Sequence, residues 1–427
     1  MPVNAIKLRN RVMLFTEPVV TSKTVAIGFW FSVGSRLERD GEHGITHFTE
    51  HLLFKGTRTR SARDIACAFD RIGGYVNAFT ERENVCVYCT IPGGTESVGT
   101  ALNVLCDMCN NSVFPEDEIE RERAVVKSEI ASVEDDPEES AMDRVSECVW
   151  PGQSLSTSIT GSSEDVDSIT REQLLDWYDK YFVNGNLCVF AAGMVDSDFI
   201  AEKLETLSLK SDVPIEFTEQ GFGKLPVWKN GFNFIKAGFN QTQVFELFPL
   251  VMPVSEKDYY TAAVFNAIAG DSMSSRLFDS MRERSGLCYT VYSFFTFYAD
   301  VAAWCAYASC DNDKAVSVAS LFIDEIEKIS RSGVLDAELE AAKMHLCGEE
   351  ILGSEDMEFR MKRMQRNYSM GFNLNDTSRI LECIRSVTKN DIIEFIEKLF
   401  DFNKMAFVVY GKSLSMKSKR NILCRKK

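Results

Sequence analysis

The chain lays down one order of elements twice. Its first half reads as strands at 5–8, 12–15 and 24–33, helices over 44–54 and 61–72, strands near 74–80 and 84–91, then helical patterns at 96–111 and 116–133. The second half follows with helices near 257–269 and 274–284, strands at 288–298 and 301–309, and helices at 313–331 and 335–352. A shift of about 214 to 221 residues lays HFTEHLLFKG over TAAVFNAIAG (261–270) and brings Glu129-Ile130 near Glu350-Ile351. A chain of 427 residues also exceeds the roughly 250–300 at which a single hydrophobic core stops growing. The expectation is an α+β protein of two tandem duplicated α/β domains, each an antiparallel-rich sheet flanked by helices, and not a doubly wound parallel sheet. The domains are placed at 1–212 and 231–427. The stretch between them, 213–230, lies in the loose LSLKSDVPIEFTEQGFGKLPVWKNG and is read as a linker.

Charge narrows the partners. The formal net charge is −16, and residues 101–150 alone hold four basic against 14 acidic side chains. Such a surface repels nucleic acid phosphates and attracts basic ligands. Thirteen scattered cysteines do not suit a disulfide framework in so long a chain and point to a reducing compartment, the cytoplasm. The opening MPVNAIKLRNRVMLF lacks an apolar run and cleavage site of the signal-peptide kind, so the mature chain is expected to begin there. The apolar segment 286–310 is long enough for a membrane span, but its aromatic and β-branched residues and the break at Ala299-Asp300 fit two buried strands better. No membrane partner is expected. The tail GKSLSMKSKRNILCRKK is basic and reads as a solvated end.

Of the four histidines, His43, His47 and His51 fall within GEHGITHFTEH. At about 100° per residue, His47, Glu50 and His51 share an arc of about 100° on one helix face. Two imidazoles four residues apart can reach one ion. A catalytic Zn²⁺ takes three protein ligands and keeps a fourth position for water, so a carboxylate from another element is needed. Glu50 sits too close to His51 to be an easy ligand, and its natural task is proton transfer from a metal-activated water to a leaving group. In EDEIERERAVVKSEIASVEDD, Glu122 and Glu129 are seven residues apart and share a helix face, so that one can ligate while the other orients a histidine or water. A competing pattern, Cys86-Val-Tyr-Cys89 followed by Cys106-Asp-Met-Cys109, has zinc-ribbon spacing. The first pair, however, lies in an apparent strand, on opposite faces, and the second in an apolar helix.

With these residues in place, the chain resembles the inverzincin peptidases of the pitrilysin, insulysin and mitochondrial-processing-peptidase superfamily, over nearly its whole length. The resemblance implies that His47, His51 and Glu129 bind one Zn²⁺ per chain, that Glu50 is the base, and that Glu122 supports the ligands. GGYVNAFTERENVCVY resembles the family's substrate-binding edge strand, where the backbone of Asn77, Ala78 and Phe79 would pair with an extended peptide. SSRLFDSMRERSGLCYTVYS resembles the segment whose Arg282 and Tyr289 would reach the substrate carbonyl and stabilise the developing oxyanion. The length resembles the short branch, in which each chain is half of a clam-shell. Arg282 and Tyr289 of one chain would then face the zinc site of another, in a homodimer or with a paralogous chain. The expected function is hydrolysis of basic or unstructured peptides in an enclosed chamber. A different class, a peptide-binding subunit that holds zinc without turnover, is weighed beside it. In the second copy Thr261, Val264 and Phe265 stand where His47, Glu50 and His51 would be, so only the first half carries the metal motif.

Overall fold

A computed structural model describes residues 3–206, 225–374 and 376–413. Most of the expected linker and the basic tail beyond 413 lie outside the described residues.

Among the described residues, eleven strands form two sheets. The first contains β1 (Asn4–Lys7), β2 (Met13–Pro18), β3 (Thr24–Phe31), β4 (Tyr75–Thr80), β5 (Val85–Pro92) and β6 (Leu187–Gly193), in the order β1-β2-β6-β3-β5-β4. The second contains β7 (Gly231–Lys236), β8 (Gln241–Leu250), β9 (Cys288–Phe297), β10 (Ala302–Asp311) and β11 (Ala406–Gly411), in the order β7-β11-β8-β10-β9. Apart from β1 the orders correspond strand for strand. Each sheet is antiparallel except for one parallel pair, β2 with β6 and β7 with β11, and these pairs occupy equivalent places. The duplication read from the sequence is therefore a duplication of topology. The apolar segment 286–310 forms most of the antiparallel β9–β10 pair, and no helix among the described residues is long and apolar enough to cross a membrane.

Helices follow the strands in the same order in both copies. Ile45–Leu52, Ala62–Ile72, Thr95–Asn111, Glu116–Asp135 and Pro137–Val149 in the first correspond to Glu256–Ala269, a π-helical Phe278–Arg284, Ala315–Ser332, Asp336–Gly353 and Met357–Ser369 in the second. Where the metal motif would recur, Thr261, Val264 and Phe265 are buried, which makes that helix a core element.

The chain divides into two compact units, but not as contiguous halves. The first is 1–132, 157–224 and 352–376; the second is 133–156, 225–351 and 377–427. Boundaries at 1–212 and 231–427 do not describe these units, because each copy gives its last long helix to the other sheet. The reason is apolar area. Phe15, Trp30, Tyr88 and Phe190 on one face of the first sheet are covered by Met357, Met361 and Met364 of the helix Met357–Ser369. Phe245, Leu247, Tyr307 and Val408 on the second sheet are covered by Ala141, Val145 and Val149 of the helix Pro137–Val149. The opposite faces are covered by the remaining helices. A sheet apolar on both faces needs two helical layers, and the exchanged helix supplies the second. In the first unit the exchange also brings charge: Glu17 of β2, fully buried, accepts from Arg363 Nη2 at 2.8 Å and from Arg360.

Candidate active site

The metal helix Ile45–Leu52 starts at Gly44, whose φ of 84° lies in the left-handed region and whose Cα faces Thr160 O so closely that a Cβ would sit 2.4 Å from it. Glycine is required there. Since Gly44 has no side chain to cap the helix, Glu38 does so from outside: its carboxyl accepts from Gly44 N and Thr46 N, both at 2.9 Å. Ile45, Phe48 and Leu52 are buried in the core and fix the helix rotation, which turns His47, Glu50 and His51 to one cleft. The helix Glu116–Asp135 carries acids in its first turn, where the dipole favours them. Its buried Ile119, Val126 and Ile130 hold Glu122 and Glu129 over the same cleft.

His47 Nε2 and His51 Nε2 are 3.3 Å apart, and Glu129 Oε2 lies 3.6 Å from the first and 3.3 Å from the second. Corners of a tetrahedron stand about 1.6 bond lengths apart, which for Zn–N and Zn–O bonds of about 2.0–2.2 Å is about 3.3–3.6 Å. The three atoms are thus spaced as three corners of a zinc tetrahedron. Glu122 Oε2 is 3.1 Å from His51 Nδ1, which assigns the proton to Nδ1 and leaves a lone pair on Nε2. Burial, then the neighbouring His51, pushes the His47 pKa down to about 4, so the His47 imidazole is neutral at neutral pH. Two imidazole nitrogens and a carboxylate oxygen converge on one point, an arrangement that a cation satisfies. Among the described residues this is the one group of histidine, cysteine and acid side chains spaced for an ion.

The Glu50 carboxyl is beside the cluster but engaged elsewhere: Thr80 Oγ1 of β4 donates to Glu50 Oε2 at 2.6 Å. Burial raises its pKa. Glu122 Oε1 accepts from Lys55 Nζ at 2.7 Å, so the supporting carboxylate is itself held. The cleft, about 690 Å³, is lined by these residues and by Val76, Asn77, Ala78, Phe79 and Thr80 of β4. Among the described residues β4 pairs only with β5 and forms the sheet's edge. No strand among them pairs with its other side, and the Ala78 N–H donates to Asn77 Oδ1 at 2.9 Å.

The structure therefore gathers His47, Glu50, His51, Glu122, Glu129 and the strand Asn77-Ala78-Phe79. Arg282 and Tyr289 belong to the second unit, where they pair with each other: the guanidinium lies 4.5 Å from the tyrosine ring centroid and 4.8 Å from that of Phe278, with Tyr289 76% exposed. His43 stands before the metal helix and joins no cluster. The ribbon cysteines are core: Cys86 packs with the exchanged helix on one face of β5, Cys89 with the main core on the other, and burial pushes the Cys89 thiol up to about 12. Sequence reading missed Glu38, Lys55 and Thr80. Thr80 was within reach, since strand alternation puts it on the same face as Val76 and Ala78, toward the metal helix.

A duplicated α+β fold with a two-histidine, one-carboxylate cluster on an edge-strand cleft defines a metallopeptidase architecture. Residues 14–163 match the model of the insulinase family, peptidase family M16, and residues 168–346 match that of the M16 inactive domain; the chain belongs to this peptidase family. An uncharacterized zinc protease of Rickettsia felis is 34% identical over 93% of this chain and 95% of its own length. One of Bacillus subtilis is 32% identical over 84% of this chain and 86% of its own. Among solved structures, an M16 inactive domain protein from Pseudomonas fluorescens has a TM-score of 0.86 at 18% identity, covering 97% of this chain and 99% of that one.

Proposed function

We propose that the chain is a zinc-dependent endopeptidase that cuts basic or unstructured peptides held as an added strand on β4. The observation that carries this is the spacing of His47 Nε2, His51 Nε2 and Glu129 Oε2, 3.3 to 3.6 Å apart, with the Glu50 carboxyl beside them and a sheet edge in the same cleft. One ion per chain is held by these three residues. A bound zinc would supply Lewis-acid polarisation of the scissile carbonyl and a more acidic water.

The chain's own groups do the rest. Glu122 fixes the His51 tautomer, and Lys55 fixes Glu122. Glu50 takes a proton from the attacking water and gives it to the leaving amine, and its bond to Thr80 holds the carboxyl at the edge of the strand where the peptide lies. The backbone of Asn77, Ala78 and Phe79 provides donors and acceptors for an extended substrate, which excludes folded ones. The carboxylates of the cleft and the net charge of −16 favour basic peptides. Arg282, partly buried, and Tyr289, exposed, are stacked on each other and serve the oxyanion of a site in a second chain, as a homodimer or with a paralogue, around an enclosed chamber.

The test is metal analysis with Glu50→Gln on an internally quenched arginine-containing peptide. One zinc per chain is expected in both proteins, with turnover lower by at least about 10²-fold in the variant. A chain without zinc, or cleavage that survives the substitution, overturns the reading.

A further inference from the structure

β4 is held from both faces. Val76, Ala78 and Thr80 face the metal helix and the main core: Val76 and Ala78 pack on that core, and Thr80 binds Glu50. Tyr75, Asn77 and Phe79 point the other way, toward the exchanged helix Met357–Ser369. There the contacts are specific. Tyr75 Oη donates to Glu358 Oε2 at 2.8 Å, and Lys362 Nζ donates to Glu358 Oε1 at 2.7 Å. The Lys362 ammonium lies 5.4 Å from the ring centroid of Phe79 and 5.1 Å from that of Tyr88, the neighbour on β5. At the hairpin end, Gln365 Nε2 reaches Asn84 Oδ1 at 3.4 Å. Three successive turns of one helix thus hold the start of β4, its far end and the turn that follows it.

The second unit repeats part of this pattern. Glu138, at the matching place on the other exchanged helix, accepts from Tyr292 Oη of the edge strand β9 at 2.6 Å and from Tyr307 Oη of β10 at 3.1 Å. It has no counterpart of Lys362 in this role: 220 residues before Lys362 stands Met142. The ammonium is peculiar to the sheet whose edge lines the metal cleft.

We infer that Lys362 and Glu358 are positioning residues for peptide cleavage: they fix the edge strand β4 from behind, and with it the register and geometry of a substrate added to it. This rests on the reading of β4 as the substrate strand. Lys362 reaches neither the metal ligands nor the peptide, and it acts through Phe79 and Tyr75. An extended substrate gains hydrogen bonds in proportion to how well the edge is preorganised, so a looser strand weakens binding while the reacting groups stay as they are.

The decisive variant is Lys362→Met, which keeps an apolar stem against the rings and removes the charge. The side chain is 45% exposed, so the full-length chain is expected to fold. On the arginine-containing quenched peptide, KM rises about fivefold, as expected for losing a partly exposed cation–π clamp, while kcat stays within about twofold and zinc content is unchanged. Lys362→Arg, which restores a cation over both rings, returns KM toward the wild type. Hydrogen exchange supplies an arm that does not depend on activity: amides of β4 exchange faster in Lys362→Met, and those of Ile45–Leu52 do not. An unchanged KM with unchanged β4 exchange overturns the inference, as does an equal loss of kcat, zinc and exchange protection in both elements. Faster β4 exchange in Lys362→Met, found for a chain whose wild type binds no zinc and cleaves nothing, would refute the proposed function and leave the strand clamp standing.

Discussion

Glu122 should set the affinity of the proposed metal site. One carboxylate oxygen lies 3.1 Å from His51 Nδ1 and the other 2.7 Å from Lys55 Nζ. In Glu122→Gln only one of these positions can hold the amide oxygen; the other receives an NH₂ group. If the oxygen faces His51, the amide nitrogen meets the Lys55 ammonium, donor against donor. If it faces Lys55, the His51 tautomer that leaves Nε2 free loses its support. Either way one charge-assisted bond is lost in a side chain with 7% exposure. Loss of such a supporting partner lowers metal affinity about 10–100-fold, or about 1.4–2.7 kcal/mol. Competition against a chromogenic chelator measures it directly. Adding Lys55→Met to Glu122→Gln removes the donor clash and should recover part of the affinity, since the amide oxygen can then face His51. A zinc affinity for Glu122→Gln within about twofold of the wild type would refute the argument, and so would a double variant weaker than the sum of the two singles.

Two further outcomes test the framework around the site. Arg363→Met removes both Nη2 bonds to the fully buried Glu17 and leaves it Arg360 alone, so it should cost about 1.5–3 kcal/mol in denaturant unfolding, and adding Glu17→Leu, which removes the under-paired charge, should recover part of that loss. Burial, opposed by the bonds from Thr46 and Gly44, pushes the Glu38 carboxyl up to about 8 from 4.5. Between those values the folded chain binds the proton and the unfolded chain does not, so this group's contribution is full below pH 4.5 and is lost as pH rises to about 8. The slope is at most about 1.4 kcal/mol per pH unit, and Glu38→Gln should flatten it in thermal unfolding followed across that window.

The cluster proposed to hold the metal was legible because it depends on local geometry. A helix fixes where His47, Glu50 and His51 point, and seven residues along another helix fix that Glu122 and Glu129 share a face. Selecting Glu129 as the third ligand needed either the family resemblance or the fold, since EDEIERERAVVKSEIASVEDD offers many acids at similar spacing. The strand and helix order was legible for the same local reason, and the matching strand orders of the two sheets bear out the duplication. Contiguous domains did not follow from it. An amphipathic pattern in Met357–Ser369 says that one face must be covered, not which of two similar sheets covers it. The choice is written in partners far away in sequence: Glu17 with Arg360 and Arg363, and Tyr75 with Glu358.

That exchange also explains why the second copy is kept although its metal positions are filled by Thr261, Val264 and Phe265. Without the second copy, the first sheet would expose Phe15, Trp30, Tyr88 and Phe190, leave Glu17 buried or solvated without its arginines, and lose the rear support of the strand that lines the metal cleft. The copy that lacks the HxxEH positions therefore contributes to the first unit through one helix, and a fragment ending near residue 206 would keep every proposed zinc ligand while lacking the layer that makes its sheet a stable, preorganised edge.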